Sequence, residues 1–253
     1  MRVSIAQVTL GRAANNGTCM TPILLLTRPE DRNASFAADV TSRRQGPLRV
    51  ISSPLLKITF LAATPPAADE MIFTSVNGVR AARHLGLPTD GKAWCVGGRT
   101  AEEATDAGFA VETGPGDADG LVQHIIAANP SGRLAHIRGM HARGAVAESL
   151  NAAGLICQDV VAYDQLPNIL SAEARAALKG EYPVIVPLFS PRTATILKEQ
   201  GPYGAAIHLV AMSAAVADAV SDVPAASLMV ATAPDAASMV DTVVAALEGL
   251  GAT

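Results

Sequence analysis

Short apolar runs alternate with stretches of helical spacing along almost the whole chain. Runs of strand length fall at 23–26, 48–52, 71–73, 93–96, 110–112, 134–137, 157–162, 184–189, 207–211 and 228–231. Between them apolar positions recur at every third or fourth residue, as at 79–85, 102–107, 145–153, 193–199 and 236–247, which predicts amphipathic helices. Several strand runs are apolar at successive positions instead of alternating. That pattern belongs to strands covered by helices on both faces of a parallel sheet. The fold class is therefore read as α/β, with parallel sheets of flavodoxin-like or Rossmann-like type.

The pattern also repeats internally. The segment from Leu24 to Leu56 is similar to the one from Leu134 to Leu166, with Arg28 matching Arg138 and Val50 matching Val160 at one constant offset. Ser75 and Ser190 match at a slightly longer offset. Residues 54–66 carry prolines, are partly extended and lack a helical pattern, so they read as a connector, and 165–171 with Pro167 are their counterpart. Two such connectors imply that the chain crosses between lobes twice. The expected organisation is discontinuous: 20–52 plus 168–253 in one lobe, 55–163 in the other, and a two-stranded connector near 53–54 and 164–167. Residues 1–19 read as a disordered N-terminal extension. Their short apolar run is broken by Gln7, and no signal-peptide cleavage pattern follows.

Composition narrows the function classes. With 253 residues, 49% of them hydrophobic, the chain can bury two small cores. Its net charge of −4 and the lack of a Lys/Arg block argue against a nucleic-acid partner. No apolar run approaches the roughly twenty residues of a membrane span. Three cysteines without a CxxC pair, and five histidines without ligand spacing, predict neither a disulfide framework nor a metal site. They suit a reducing, cytoplasmic setting. His136 and His208 lie inside strand runs and read as packed, hydrogen-bonded side chains.

Nucleotide signatures are missing: there is no phosphate loop and no GxGxxG after a strand. The nearest pattern is Val-Gly-Gly-Arg-Thr at 96–100, where the backbone at Gly98 opens a helix. Its N–H groups could face an anion. A tight strand-to-helix turn explains the glycines equally simply. Thr74, Ser75, Thr100, Ser190 and Ser213 all follow strand runs, and helix capping accounts for any one of them. Their shared position is more informative, because open α/β sheets bind ligands at the carboxyl ends of their strands. Arg28, Arg138 and Arg143 follow strand ends as well, and guanidinium groups pair well with carboxylates. A solvated loop charge is the alternative, above all for Arg143. Tyr163, one of three tyrosines, ends a strand run where it either covers a hinge or points into a cleft. The residues alone describe a two-lobed α/β protein with an anion-binding cleft.

Six fragments in order go further. They are Leu-Leu-Leu-Thr-Arg-Pro at 24–29, Ile-Phe-Thr-Ser-Val-Asn-Gly-Val at 72–79, Val-Gly-Gly-Arg-Thr-Ala at 96–101, Ile-Arg-Gly at 137–139, Val-Ala-Tyr at 161–163 and Phe-Ser-Pro-Arg at 189–192. Together they resemble the uroporphyrinogen-III synthase family over residues 22–250. The resemblance implies two α/β lobes with the active site between them. It implies a cyclising hydro-lyase of tetrapyrrole biosynthesis that converts hydroxymethylbilane to uroporphyrinogen III, losing water and inverting ring D. It further implies a cytoplasmic monomer that takes a small-molecule substrate, without cofactor, metal, nucleic acid or membrane. Tyr163 becomes the catalytic candidate. Arg28, Thr74, Ser75, Asn77, Gly98, Thr100, Arg138, Gly139, Ser190 and Ser213 become candidates for substrate binding. Where some members carry adjacent threonines, this chain reads Met-Ser-Ala-Ala-Val at 212–216, and Ser213 is the candidate instead. Two other classes compete: a two-lobed binding protein for a polycarboxylate ligand, which a signal peptide would favour, and a nucleotide-dependent α/β enzyme, which a phosphate loop would favour.

Overall fold

The structure is a computed structural model and describes residues 21–64, 67–141 and 144–251. The expected extension 1–19 and Arg143 lie outside the described residues. The chain divides into two compact units, one holding residues up to Pro54 together with those from Leu170 onward, the other holding Leu55–Ile169. The first unit opens with β1 (Ile23–Leu26), α1 (Glu30–Arg43) and β2 (Arg49–Ser52). The chain then enters the second unit with β3 (Leu56–Phe60), β4 (Glu70–Phe73), α2 (Val76–His84), β5 (Lys92–Cys95) and α3 (Gly98–Ala107). There it continues through β6 (Ala110–Thr113), α4 (Ala118–Ala128), β7 (Leu134–Gly139), α5 (Val146–Ala152) and β8 (Cys157–Pro167). It returns for α6 (Ala172–Ala177), β9 (Val184–Leu188), α7 (Pro191–Lys198), β10 (Ile207–Ala211), α8 (Ala214–Asp218), β11 (Ser227–Val230) and α9 (Ala236–Gly251).

The first unit is a five-stranded parallel sheet in the order β11-β10-β9-β1-β2. Leu24, Leu26, Ile185 and Val210 face Phe36 and Val40 of α1 and Met239, Val240 and Val243 of α9. Helices α6, α7 and α8 also pack on the sheet. Every residue of β9 is buried, as its unbroken apolar run predicts. Pro187 lies within that central strand, which stays paired with β10 through Leu188. The β1–β9 ladder stops at Leu24↔Ile185, before the residue that has no N–H to donate.

The second unit is a mostly parallel six-stranded sheet in the order β3-β8-β7-β4-β5-β6. Phe73, Ala93, Cys95, Ile137 and Val160 pack with Val79 of α2 and Ala101 and Ala104 of α3. Ile72, Trp94, Leu134 and Cys157 pack with Leu121 and Ile125 of α4 and Leu150 of α5. Burial of this kind, at about 25 cal/mol per Å² of apolar surface, is the main source of stability in both units. Among the described residues no helix is long and apolar enough to cross a membrane.

The segments expected as connectors contain paired strand. β3 runs antiparallel to β8, from Leu56↔Pro167 to Phe60↔Tyr163, so residues 164–167 continue a strand instead of leaving the sheet. β3 was illegible because it is short and lies between prolines, and its partner is about a hundred residues away, so no local signal announces the pairing. In the run Tyr-Asp-Gln at 163–165, Tyr163 is buried while Asp164 and Gln165 are only partly covered.

One close approach ties α2 to the sheet. A Cβ at Gly78, in the first turn of α2, would lie 2.6 Å from the carbonyl oxygen of Ile137 in β7, a backbone atom that cannot rotate away. A Cβ at Gly98 would meet nothing within 4 Å. Gly78→Ala should therefore lower stability by about 1–3 kcal/mol through overpacking. Gly98→Ala should be neutral or stabilise by up to about 1 kcal/mol through helix propensity. Chemical denaturation curves for both variants check the opposite signs; equal shifts would contradict the close approach.

Candidate active site

In the first unit the β1–α1 turn is organised by Asn33, which is 1% exposed. Its side-chain nitrogen lies 2.8 Å from the Arg28 carbonyl, 3.2 Å from that of Leu26 and 2.7 Å from the Ser52 hydroxyl. Its oxygen accepts from the Arg28 N–H at 3.1 Å. The Ser52 hydroxyl donates in turn to Glu30. Asn is a poor choice for a helix interior and a good one for bonding nearby backbone, which explains its place beneath a strand end. The turn holds the Arg28 guanidinium 4.0 Å above the ring of Phe189, and Phe189 meets Phe36 edge-on. Cation–π contact of this kind restricts a long side chain.

Ser190 and Ser213 stand at the carboxyl ends of β9 and β10, beside Arg28 at the end of β1. Ser190 caps α7 by accepting from the Thr193 N–H, with Pro191 in the first turn. Ser213 occupies the cap position of α8, but its hydroxyl makes no capping bond. The sequence expectation of capping holds for the first serine only.

In the second unit the remaining candidates lie along the neighbouring strands β8, β7, β4 and β5. Ser75 caps α2 and accepts from the Asn77 N–H at 3.2 Å, so that donor is already engaged. The cap position of α3 belongs to Gly97, and Gly98 is its first residue. Thr100 is not a capping residue: it lies in the first turn of α3 and is 5% exposed. The Val-Gly-Gly-Arg-Thr reading displaced the cap because glycine at that position has no side chain to signal it.

Tyr163 does not end its strand. It sits within β8 at an irregularity where Arg138 pairs with Val161 but Gly139 pairs with Tyr163. A bulge of this type re-aims side chains. Gly139 is what makes room for the ring, since a Cβ there would lie 2.7 Å from Cε2 and 2.9 Å from Cζ of Tyr163. The Tyr163 side chain packs with the α2/α3 core and is 6% exposed.

Thr74 does not cap a helix either. Its hydroxyl lies 3.1 Å from Nε2 of His136, whose Nδ1 lies 2.8 Å from Oδ1 of Asp159. The other oxygen of Asp159 lies 2.8 Å from Nε of Arg138, and Arg138 also donates to the Gly139 carbonyl at 3.1 Å. The imidazole is 2% exposed. The Asp159–Arg138 contact is an ion pair without an aligned hydrogen bond. The hydrogen bond from His136, and then the neighbouring guanidinium of Arg138, hold the Asp159 carboxyl below its usual range. The chain Thr74–His136–Asp159–Arg138 thus links two sequence candidates through two residues that were not candidates. The parallel register that places His136 opposite Asp159 is a long-range property, and sequence spacing alone does not reveal it.

Burial raises the Cys95 thiol to about 12 and the Cys157 thiol to about 11, so both are core side chains. Among the described residues no group of three or more His, Cys, Asp or Glu side chains could hold a metal. A cavity of about 510 Å³ lies at the amino ends of β4 and β5, lined by Asp69, Met71, Asp90, Lys92 and Phe109 among others. None of the candidates lines it. They lie at the opposite ends of the strands.

A family model described as uroporphyrinogen-III synthase HemD matches residues 37–241. Sequence comparison with curated proteins finds no match. Among solved structures the chain is similar to a uroporphyrinogen-III synthetase from Helicobacter pylori, at 15% identity and a TM-score of 0.60, over 90% of this chain and 100% of that one. It is also similar to a mutant uroporphyrinogen III synthase from the extremely thermophilic bacterium Thermus thermophilus, at 16% identity and a TM-score of 0.44, over 90% and 99% of the two chains. The first of these likenesses shows a shared two-unit α/β fold.

The depressed Asp159 pKa has a stability consequence with a definite sign. A carboxyl whose folded pKa is lowered stabilises the fold above its unfolded value, 3.8, and that contribution disappears as pH falls through the folded value. Asp159→Asn should therefore be less stable than the wild type at neutral pH, and the two melting temperatures should converge on acidification below 3.8. A gap that stays constant into strong acid would contradict the pairing.

Proposed function

The chain belongs to the uroporphyrinogen-III synthase family, and from that premise we propose that it is a hydro-lyase that cyclises hydroxymethylbilane to uroporphyrinogen III. The observation that carries the reading is the family match over residues 37–241. It acts as a cytoplasmic monomer in tetrapyrrole biosynthesis, with Tyr163 as the catalytic candidate and the hydroxyls, arginines and backbone N–H groups at the strand ends binding substrate.

The reaction asks little of protein functional groups. The C–O bond of the hydroxymethyl group breaks, and the hydroxyl departs as water with one added proton. The pyrrole nitrogen supplies the electron pair, leaving an azafulvenium cation. The cationic methylene bonds to the α-carbon of ring D that already carries the bridge to ring C. That bridge bond then breaks, the bridge carbon re-bonds to the free α-carbon of ring D, and loss of the proton there completes the inverted macrocycle. Without control the linear chain closes directly to the type I isomer, so the enzyme's task is to hold the chain in one conformation. Positioning alone can contribute several kcal/mol. Oriented donors that carry no full charge suit the substrate's acetate and propionate groups.

What supports a role for Tyr163 is its restraint. Gly139 leaves space for the ring and the α2/α3 core holds it, so its hydroxyl has little freedom. A phenol fixed in this way can donate a hydrogen bond to the departing hydroxyl. The helix caps Ser75 and Ser190 have a second duty at helix ends, and their loss would affect stability as well as binding.

Purified protein supplied anaerobically with hydroxymethylbilane should form the type III isomer faster than spontaneous closure forms type I. Tyr163→Phe should lower that rate by about 10²-fold or more with little change in melting temperature. Product that is only type I would overturn the function, and an unchanged rate in the variant would remove Tyr163 from the mechanism. Dialysis against a strong chelator should leave the activity intact; loss restored by a metal ion would contradict catalysis without a metal.

A further inference from the structure

The chain Thr74–His136–Asp159–Arg138 has a directional property that follows from proton counting. Asp159 is ionised at neutral pH, so its oxygens only accept hydrogen bonds. Nδ1 of His136, 2.8 Å away, must therefore carry a proton. Arg138 already matches the carboxylate charge at 2.8 Å. In the tautomer whose single proton goes to Asp159, Nε2 is an acceptor. The partner of Nε2, 3.1 Å away, is the Thr74 hydroxyl, which must donate its single proton inward.

We propose that His136 and Asp159 are positioning residues that fix Thr74 as a hydrogen-bond acceptor toward the substrate, so that Thr74 receives a pyrrole N–H and not a carboxylate. The inference rests on the proposed function and deepens it. A linear tetrapyrrole offers two kinds of polar group: N–H donors along its backbone and carboxylates at its periphery. A threonine whose proton is committed to Nε2 presents only lone pairs outward. Those lone pairs suit an N–H and repel a carboxylate. Carboxylates are left to Arg138, which Asp159 holds directly, and to the backbone N–H groups at the strand ends. One carboxylate therefore orients two neighbours of opposite recognition character, at the ends of the adjacent strands β4 and β7.

A purely structural role is the competing explanation, since the same bonds join β4, β7 and β8. The two differ in their consequences. A structural network shows its loss in the melting temperature, whereas a positioning network shows it in kcat/KM with the melting temperature little changed. The setting also argues for function. His136 shares its sheet face with Leu134, Ile72 and Trp94, where an aliphatic side chain would fill the space without any polar group to satisfy.

The test combines two independent measurements. Imidazole nitrogen NMR on the wild-type protein without substrate should show the His136 proton on Nδ1 and none on Nε2. A proton on Nε2 overturns the proposal whatever the catalytic data show. Thr74→Val, Thr74→Ser, His136→Gln and the double variant Thr74→Val/His136→Gln are then assayed with hydroxymethylbilane, with melting temperatures in parallel. Thr74→Val and His136→Gln should each lose on the order of ten-fold in kcat/KM, the effect of one hydrogen bond. Thr74→Ser should recover most of that loss, and the double variant should be no worse than Thr74→Val. Additive losses overturn the proposal. Mellitate, a polycarboxylate without pyrrole N–H groups, should inhibit the wild type and Thr74→Val equally. Weaker inhibition of Thr74→Val would make Thr74 a carboxylate donor and overturn the assignment. Should His136→Gln not fold, the tautomer and the mellitate comparison still decide. A wild-type protein that makes no type III product defeats the proposed function itself, a result distinct from each of these.

Discussion

Parallel pairing is the constraint on which the rest of this structure depends. A parallel strand must be followed by a crossover, and here the crossovers are helices that bury both faces of each sheet. Strands such as β9 are therefore apolar throughout, and chemistry is expelled to the strand ends. In each unit the carboxyl ends share one edge, where the next helix begins with N–H groups that have no partner within the helix. The candidate residues stand at these ends because no other part of either sheet can hold polar side chains at low cost.

Each unit also places a buried polar side chain close to that edge. In the first it is Asn33, bonded to the backbone around Arg28. In the second it is His136, bonded to Thr74 and Asp159. Burying such groups is unfavourable unless every bond is made, and a satisfied network restricts its members to one geometry. Both networks end on an arginine from the sequence repeat, Arg28 in one unit and Arg138 in the other. The repeat is therefore one of position, and the two units reach the same result with unrelated side chains.

Much of this was legible in the amino-acid order, for identifiable reasons. Doubly buried strands leave continuous apolar runs, so β1, β9 and β10 could be read almost to the residue. Ser75 and Ser190 announce helix starts because a hydroxyl cap is a local interaction. What escaped was long-range. β3 has meaning only through its antiparallel partner, β8. Asp159 carries no local signal, and only the register sets it beside His136. Tyr163 looked like a strand end because its polar successors resemble a loop, whereas the strand continues, paired with β3. The fold can thus be inferred from periodicity, and the site only from pairing.

The proposed substrate surface is the set of carboxyl ends of the strands. Amide NMR during an anaerobic titration with uroporphyrinogen III tests it most directly. The largest shifts should fall on Arg28, Ser190 and Ser213 in the first unit and on Thr74, Ser75, Gly98 and Gly139 in the second. Shifts concentrated instead around Asp69, Asp90 and Lys92, at the amino-end cavity, would contradict it.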